Sequence, residues 1–222
     1  MGDSKTIRHE LRQLKVLQGL CGSVDFDAFP TTPHEAFIIW LQEAIAAGVN
    51  EPHAMTLSTV DNEGRPDARV LILKNVDDCG FHFAVKSTSP KGVQIASQKH
   101  VALTFYWPEQ GRQVRIRGAA IRRPDQDCKR DFLDRPLESR IGATASKQSQ
   151  VLRDKAQLLE AVSSTRHKLE ADPDFVLPGW EVYAVEPFEV EFWQGASDRL
   201  HQRLQYVAGP EAGTWRKQVL WP

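Results

Sequence analysis

Apolar residues first follow a helical period just after residue 31. Thr32-Pro33-His34-Glu35 is a capping-box pattern with proline at the first helical position. The apolar residues that follow recur at the helical positions i, i+3, i+4, i+7 and i+8, namely Phe37, Trp40, Leu41, Ala44 and Ile45. This spacing predicts a helix with one buried face that ends near Gly48.

From His53 to Arg122 the period changes to an alternation of apolar and polar positions. Turn-forming runs such as Asp61-Asn62-Glu63-Gly64 and Asp77-Asp78-Cys79-Gly80 separate the alternating segments. The pattern predicts strands at 53–60, 66–74, 81–85, 101–107 and 112–122, and one short helix at 89–98. Five antiparallel strands with a single inserted helix predict a small barrel.

The rest of the chain is predicted to be helical over 124–169 and to return to strands at 180–192, 204–206 and 215–220. We therefore expect a mainly β fold with flanking helices (α+β) and antiparallel strands. It forms a single domain over residues 31–222, whose C-terminal segment is 180–222. Residues 1–30 carry few periodic apolar positions, which predicts a flexible N-terminal arm.

Charge and cysteine content narrow the classes of function. The 28 basic and 29 acidic side chains give a net charge of -1, so neither nucleic acid nor a membrane is an expected partner. Cys21, Cys79 and Cys128 lie far apart without ligand spacing, which indicates free thiols and no metal site. The first twenty residues do not resemble a secretory signal, and no apolar stretch is long enough to span a bilayer. These features predict a cytoplasmic protein.

Several familiar catalytic motifs are absent. The sequence has no GxSxG, HExxH or Walker A pattern and no GxGxxG after a strand. A triad hydrolase, a zincin, a P-loop NTPase and a Rossmann dehydrogenase therefore lose support. An enzyme built on this chain would need a bound cofactor.

Four segments offer candidate ligand contacts, each with a simpler structural interpretation. Arg69 to Lys74 places a cation at each end of an apolar strand, and Ser89 with Lys91 opens a helix whose free N–H groups suit a phosphate. Gln113, Arg115 and Arg117 alternate with Val114 and Ile116 on one strand. Gln148-Ser149 is placed at the start of a long helix, where it caps the helix or reaches a ligand. A core strand, a bare cap and a solvated face are the common alternatives.

The run from Phe192 to Arg203 is more distinctive. An aromatic pair and a glycine turn are followed by Arg199, His201 and Arg203 at alternate positions. This combination predicts a flat apolar surface beside three cationic groups, which suits a stacked heterocycle that carries anionic groups.

These residues resemble the pyridoxamine 5'-phosphate oxidase family. Phe192-Trp193-Gln194-Gly195, Arg199-Leu200-His201 and Arg203 match its C-terminal signature. Further matches follow the family order from about Thr32 onward, at Arg69 to Lys74, Ser89 with Lys91, Arg112-Gln113-Val114, Arg135-Pro136, Ser139, Ser146-Lys147-Gln148-Ser149 and Trp215 to Pro222. The resemblance implies an FMN-binding split β-barrel that forms a homodimer.

The resemblance also implies roles for individual residues. The implied FMN-binding residues are Arg69, Val70, Leu71, Ile72, Leu73, Lys74, Ala84, Val85, Ser89, Lys91, Gln113, Gln148, Ser149, Trp193 and Arg203. The implied substrate-side residues are Lys74, Asp131, Arg135, Ser139, Arg199 and His201, and Arg199 and His201 are also the implied catalytic pair.

This sequence departs from the family pattern at three places. Pro90 and Ala84-Val85 replace basic and polar residues near the expected FMN. Asp131 stands where the vitamin B6 enzymes usually have a tyrosine that holds the substrate phosphate, and a carboxylate there repels a phosphate dianion. Gly22-Ser23-Val24-Asp25 and Gly48-Val49-Asn50-Glu51-Pro52 are similar to the branch of the family that acts in phenazine biosynthesis.

We therefore expect an FMN-dependent oxidase of reduced phenazine carboxylates. The small-molecule substrate would give a hydride to FMN, and O2 would be the final acceptor, giving H2O2. One alternative is a pyridoxine/pyridoxamine 5'-phosphate oxidase of vitamin B6 metabolism. A second alternative is a flavin-binding split-barrel protein without turnover.

Overall fold

The computed structural model describes residues 7–17 and 22–222. The chain forms two compact units. The first unit contains the described residues up to Pro52, together with Thr104–Arg115 and Glu189–Pro222. The second unit contains His53–Leu103 and Ile116–Phe188. The single domain over 31–222 stays a prediction, as does the flexible arm, which lies partly outside the described residues.

Helices and strands alternate along the chain much as the hydrophobic pattern predicts. The helices are α1 (Ile7–Gln13), α2 (Pro33–Ala46), α3 (Pro90–Ser97), α4 (Asp125–Leu133), α5 (Leu137–Ala145) and α6 (Lys155–Ala171). The strands are β1 (Ala54–Val60), β2 (Pro66–Ile72), β3 (Asn75–Asp77), β4 (Gly80–Lys86), β5 (His100–Trp107), β6 (Arg112–Arg122), β7 (Trp180–Gln194), β8 (Gln202–Ala208) and β9 (Trp215–Val219). No helix in these described ranges is long and apolar enough to cross a membrane.

The strands form one sheet in the order β2-β1-β5-β6-β7-β4-β3, and β8 pairs with both β7 and β9. The pairs β1–β2, β3–β4, β4–β7, β7–β8 and β8–β9 are antiparallel. The prediction of a mainly β antiparallel fold with flanking helices is confirmed.

In the second unit, the side chains of β1 alternate between a buried face and a less buried face. Met55, Leu57 and Thr59 are buried while the residues between them are half-buried, because successive side chains of a strand point to opposite faces. In β4, Phe81 and Phe83 are fully buried. Thr59 is therefore a polar side chain at a core position and needs hydrogen-bond partners.

In the first unit, α2 packs its apolar face on aromatic side chains. The Thr32 hydroxyl accepts a hydrogen bond from the backbone N–H of Glu35 and donates to its carboxylate, as the capping-box pattern predicts. The Phe37 ring lies 4.8 Å from the Phe105 ring, and the Trp40 ring lies 5.2 Å from the Phe192 ring. The buried face of α2 thus anchors the helix to β5 and β7.

The structure corrects the predicted start of the long helix. Gln148 and Ser149 lie in a loop, and α6 begins at Lys155 behind Asp154, whose carboxylate accepts from the backbone N–H of Ala156. The prediction failed because this segment contains several residues able to cap a helix, and Ser149 instead has a left-handed φ of 67°. Helix α1 and the short strand β3 were also not predicted.

Candidate functional site

Arg69 on β2 is held by a hydrogen-bond network in the second unit. Its Nη1 donates to the Thr59 hydroxyl at 2.6 Å and to the Leu57 carbonyl at 3.3 Å. Its Nη2 donates to the Gln94 side-chain oxygen at 3.2 Å and pairs with Asp67 at 2.5 Å. Leu57 is the register partner of Arg69 in the β1–β2 pair, so strand pairing brings the arginine to this position.

The network around Arg69 is directional. The Thr59 hydroxyl donates to Gln94 Oε1 at 2.6 Å, so its lone pairs are left for the arginine. The Gln94 amide nitrogen in turn donates to Asp67 at 3.2 Å. Each hydrogen bond of this network therefore restricts the orientation of the next side chain.

Ser89 caps α3 at the same end of the second unit. Its hydroxyl accepts from the backbone N–H of Gly92 and donates to the carbonyl of Lys86 at 2.7 Å. A Cβ at Gly92 would lie 2.4 Å from the Lys86 carbonyl oxygen, so only glycine allows this close approach. Pro90 has no N–H and the Gly92 N–H is capped by Ser89, so the first turn of α3 contributes mainly the positive end of its dipole beside Lys91.

Lys91 is a buried cation among other cations. Only 6% of the residue is exposed, and its ammonium donates to Gln148 Oε1 at 3.0 Å. Burial lowers the pKa of Lys91, and the positive charges of Arg69 and Lys86 lower it further, while Asp67 opposes the change. A cluster of this kind favours a bound anion, which would compensate the repulsion.

Lys86 holds the loop that follows α5. Its ammonium donates to the carbonyls of Ala143 and Ser146 at 2.9 and 2.5 Å. These hydrogen bonds satisfy carbonyl groups at the C-terminal end of α5. Burial lowers the pKa of Lys86 as well. This contact and the Lys91–Gln148 hydrogen bond place residues 146–148 beside α3.

A cavity of about 370 Å³ joins these groups to residues of α5 and β7. Its lining residues include Leu71, Ala84, Val85, Lys86, Lys91, Arg135, Ser139, Ser146, Gln148 and Trp180. The structure therefore brings five predicted FMN residues and two predicted substrate residues to one cavity of the second unit. Ser149 lies on a neighbouring cavity of about 390 Å³, which Gln148 also lines.

The other predicted residues of the segment 69–74 differ in exposure. Val70 and Ile72 are 67% and 37% exposed, whereas Leu73 is buried. The backbone N–H of Lys74 donates to the carbonyl of His82 at 2.8 Å, which fixes the end of the segment against β4.

Asp131 and Arg135 contact the same indole ring. The Trp180 Nε1–H donates to Asp131 Oδ2 at 2.8 Å, and the Arg135 guanidinium carbon lies 4.5 Å from the centre of the Trp180 ring. Asp131 Oδ1 is 3.7 Å from the Lys74 ammonium, and Arg135 donates to the Ser139 carbonyl at 3.3 Å. Burial lowers the pKa of Arg135, and the Asp131 charge opposes this change.

The first unit contains the aromatic and cationic residues of the C-terminal run. The Trp193 and His201 rings lie 4.8 Å apart, and His201 Nδ1 accepts from the backbone N–H of Ala196 at 3.0 Å. This bond requires an unprotonated Nδ1, so a neutral His201 carries its proton on Nε2 and can donate from there. Arg199 is exposed and has a left-handed φ of 70°, a conformation that concentrates at functional sites.

Two other predicted contacts of the first unit are placed as follows. Arg203 donates to the buried carboxylate of Glu191 at 3.0 Å and to the carbonyl of Trp221 at 2.9 Å. Gln113 is half-buried on β6 beside the fully buried Val114, so it lies on the polar face of that strand.

The residues of the second unit fit an FMN phosphate and a flat ring system. Lys91, the capped N-terminus of α3 and Arg69 supply positive charge and N–H donors, which a phosphate needs. The cavity wall at Leu71, Ala84 and Val85 is apolar, which suits a flavin ring. The donor set and the cavity therefore agree with the predicted cofactor.

Four residues at this cavity or in its supporting network, Thr59, Gln94, Lys86 and Trp180, were not selected from the sequence. Thr59 gave one usable signal, because it is a polar residue at an inward position of an alternating strand. Gln94 and Trp180 gave no signal, since their partners are distant in sequence.

Comparisons with known proteins agree with this arrangement. The family described as "Pyridoxamine 5'-phosphate oxidase" matches residues 41–168, and the "Pyridoxine 5'-phosphate oxidase C-terminal dimerisation region" matches residues 180–222. The chain is 44% identical to a pyridoxine/pyridoxamine 5'-phosphate oxidase of Haemophilus influenzae over 86% of this chain and 89% of the relative. A protein of the same name from Paraburkholderia xenovorans is 40% identical over 90% and 94%.

Solved structures show the same fold. PhzG from Burkholderia lata, in complex with tetrahydrophenazine-1-carboxylic acid, matches with a TM-score of 0.82 and 32% identity over 90% of this chain and 100% of that one. An FMN-binding protein from Nostoc punctiforme matches in fold alone, with a TM-score of 0.70 and 17% identity. The predicted FMN-binding split β-barrel is confirmed.

Proposed function

Since this chain belongs to the pyridoxamine 5'-phosphate oxidase family and is an FMN-dependent oxidoreductase, we propose that it oxidises reduced phenazine carboxylates in phenazine biosynthesis. The observation that carries the proposal is the carboxylate of Asp131, held between Trp180 and Lys74 beside Arg135. The choice of a phenazine carboxylate over a vitamin B6 phosphate rests on the negative charge of the Asp131 carboxylate.

Asp131 disfavours a doubly charged acid more than a singly charged one. At a separation of several ångströms near a protein surface, each unit of like charge costs on the order of 1 kcal/mol or more. A phosphate dianion meets roughly twice the repulsion of a carboxylate. Arg135 can bind a carboxylate with two parallel N–H groups, so the monoanion keeps the attraction at a smaller cost.

The likeness to PhzG supports the same choice. That protein was solved with a tetrahydrophenazine carboxylic acid, which is planar in part and carries no phosphate. A cavity lined by apolar side chains and by Arg135 matches the chemistry of such a ligand.

FMN held by these residues would supply a two-electron acceptor for the substrate, with dioxygen as the final oxidant and hydrogen peroxide as its product. The side chains supply binding and orientation. Arg135 binds the acid group, and Arg199 and His201 are the candidate catalytic residues, with His201 able to donate a proton or a hydrogen bond from Nε2. Two copies form a homodimer through the region 180–222.

The decisive experiment compares two substrates on the FMN-loaded protein. Oxygen consumption is measured with a reduced phenazine carboxylate and with pyridoxine 5'-phosphate at matched concentrations. We expect a kcat/KM at least tenfold higher for the phenazine. Efficient turnover of pyridoxine 5'-phosphate alone would refute the proposal.

A second candidate is a pyridoxine/pyridoxamine 5'-phosphate oxidase. Arg135 and Ser139 line the same cavity as five of the predicted FMN residues, and relatives that are 44% and 40% identical to this chain carry that name. Replacing Asp131 separates the two, because Asp131→Tyr should raise pyridoxine phosphate turnover only if the carboxylate is what excludes it.

A further inference from the structure

We propose that Trp180 is a positioning residue that keeps the Asp131 carboxylate away from Arg135, so that the Arg135 guanidinium stays available to the acid group of a ligand. The inference deepens the proposed function and rests on it for the identity of the substrate. Asp131, Arg135 and Trp180 all belong to the second unit, and Trp180 was not among the residues selected from the sequence.

The indole separates two opposite charges. Its Nε1–H donates to Asp131 at 2.8 Å, and its face carries the Arg135 guanidinium with the carbon 4.5 Å from the ring centre. Within residues 7–17 and 22–222, Asp131 and Arg135 form no ion pair, and the carboxylate pairs instead with Lys74. The indole thus binds the Asp131 carboxylate at its N–H group and the Arg135 guanidinium on its face.

The indole is itself held firmly. Trp180 is 8% exposed and is the first residue of β7, where it pairs with Lys86 of β4. Its ring meets the Phe132 ring edge to face at 5.5 Å. Burial, strand pairing and the Phe132 ring restrict the motion of the indole. The indole can therefore fix the orientation of the Arg135 guanidinium that stacks on it.

Arg135 has spare capacity for hydrogen bonds. A guanidinium has five N–H donors, and the structure uses one nitrogen of Arg135 on the Ser139 carbonyl. Its Nε is buried without a hydrogen-bond partner in the described part of the chain. Arg135 also lines the cavity of about 370 Å³, and stacking on an indole leaves the N–H edge of a guanidinium open, so its terminal N–H groups suit a planar acid group in that cavity.

Trp180→Phe removes the N–H that holds Asp131 and keeps an aromatic face under Arg135. Released from the indole, Asp131 would pair with Arg135 and compete with the ligand. We expect the dissociation constant of 1-naphthoate, measured by calorimetry on the FMN-loaded protein, to rise about tenfold, the order expected for loss of one charge-assisted contact.

The double variant Trp180→Phe/Asp131→Asn decides between positioning and simple packing. Without the carboxylate nothing captures Arg135, so affinity for 1-naphthoate should return to within about threefold of the wild type. A double variant as weak as Trp180→Phe would overturn the proposal, as would unchanged affinity in Trp180→Phe. Failure of the wild type to bind 1-naphthoate would overturn it too, since Arg135 would not be available.

Two further variants serve as controls for this experiment. Trp107→Phe deletes another indole N–H, which donates to the Pro52 carbonyl, and should leave 1-naphthoate binding unchanged. Asp131→Asn alone tests the charge without touching the ring. It should improve binding of 1-naphthyl phosphate more than binding of 1-naphthoate, and an equal effect on both would count against the proposal. None of these measurements requires turnover, so failure of the phenazine assay leaves this test unaffected.

Discussion

Thr59→Val tests whether the network around Arg69 supports FMN binding. Thr59 is 1% exposed, and its hydroxyl accepts from Arg69 and donates to Gln94, both at 2.6 Å. Valine has nearly the same shape and favours a strand, so β1 should keep its backbone. The substitution therefore removes two hydrogen bonds and little else.

The cost follows from the kind of bond removed. A hydrogen bond to a charged group contributes about 1.5–3 kcal/mol and a neutral one about 1 kcal/mol, so the apoprotein should lose about 2–4 kcal/mol of unfolding free energy. Without Thr59, Arg69 keeps the Leu57 carbonyl, Gln94 and the exposed Asp67 as partners. If this looser arginine loses one contact to the FMN phosphate, affinity falls about tenfold to a hundredfold.

Two measurements check these values. Urea unfolding of the apoprotein gives the stability change, and quenching of flavin fluorescence gives the FMN dissociation constant. Thr56→Val is the matched control, because Thr56 lies on the opposite face of β1 and should change neither quantity appreciably. FMN binding of wild-type strength in Thr59→Val would show that Arg69 needs no such support, or does not contact the phosphate.

Three further variants test other parts of the site. Because the pKa of the Lys91 ammonium is lowered, it loses its proton at a lower pH than an ordinary lysine. FMN affinity should therefore fall as the pH rises through the alkaline range, and Lys91→Arg should flatten this profile in apoprotein titrations. Gly92→Ala places a Cβ 2.4 Å from the Lys86 carbonyl oxygen and should lower both the thermal midpoint and the FMN content. His201→Ala and Arg199→Ala should each lower kcat while the flavin absorbance per protein stays unchanged, and wild-type turnover in both would remove their proposed roles.

Local patterns predicted the elements well because each depends on neighbouring residues. The alternation in β1 and the capping box at Thr32 are both present, and Gly80, with a φ of 117°, follows the turn as the first residue of β4. The misplaced start of α6 shows the limit of such patterns. Ser149 and Asp154 are both suitable caps, and only the tertiary position of the loop selects Asp154.

Contacts between distant residues could not be predicted in this way. The Trp180–Asp131 hydrogen bond joins residues 49 positions apart, and no periodicity in either segment indicates it. Thr59 is a partial exception, because an inward polar residue on a strand must be satisfied by some partner. Even there the sequence does not name the partner, since Arg69 reaches Thr59 only through the register of β1 and β2.

The same limitation explains why the substrate is harder to assign than the cofactor. The groups that suit FMN, such as Ser89 and Lys91, act through a helix terminus and a charge, which a sequence motif can carry. The proposed substrate preference depends instead on which group the Asp131 carboxylate contacts. Paired with Arg135, Asp131 would close the site to any acid, whereas on the Trp180 indole it leaves the arginine available and still penalises a second negative charge. On the proposed function, substrate choice would therefore depend on one side chain and its hydrogen bond, while the motif that identifies the family stays intact.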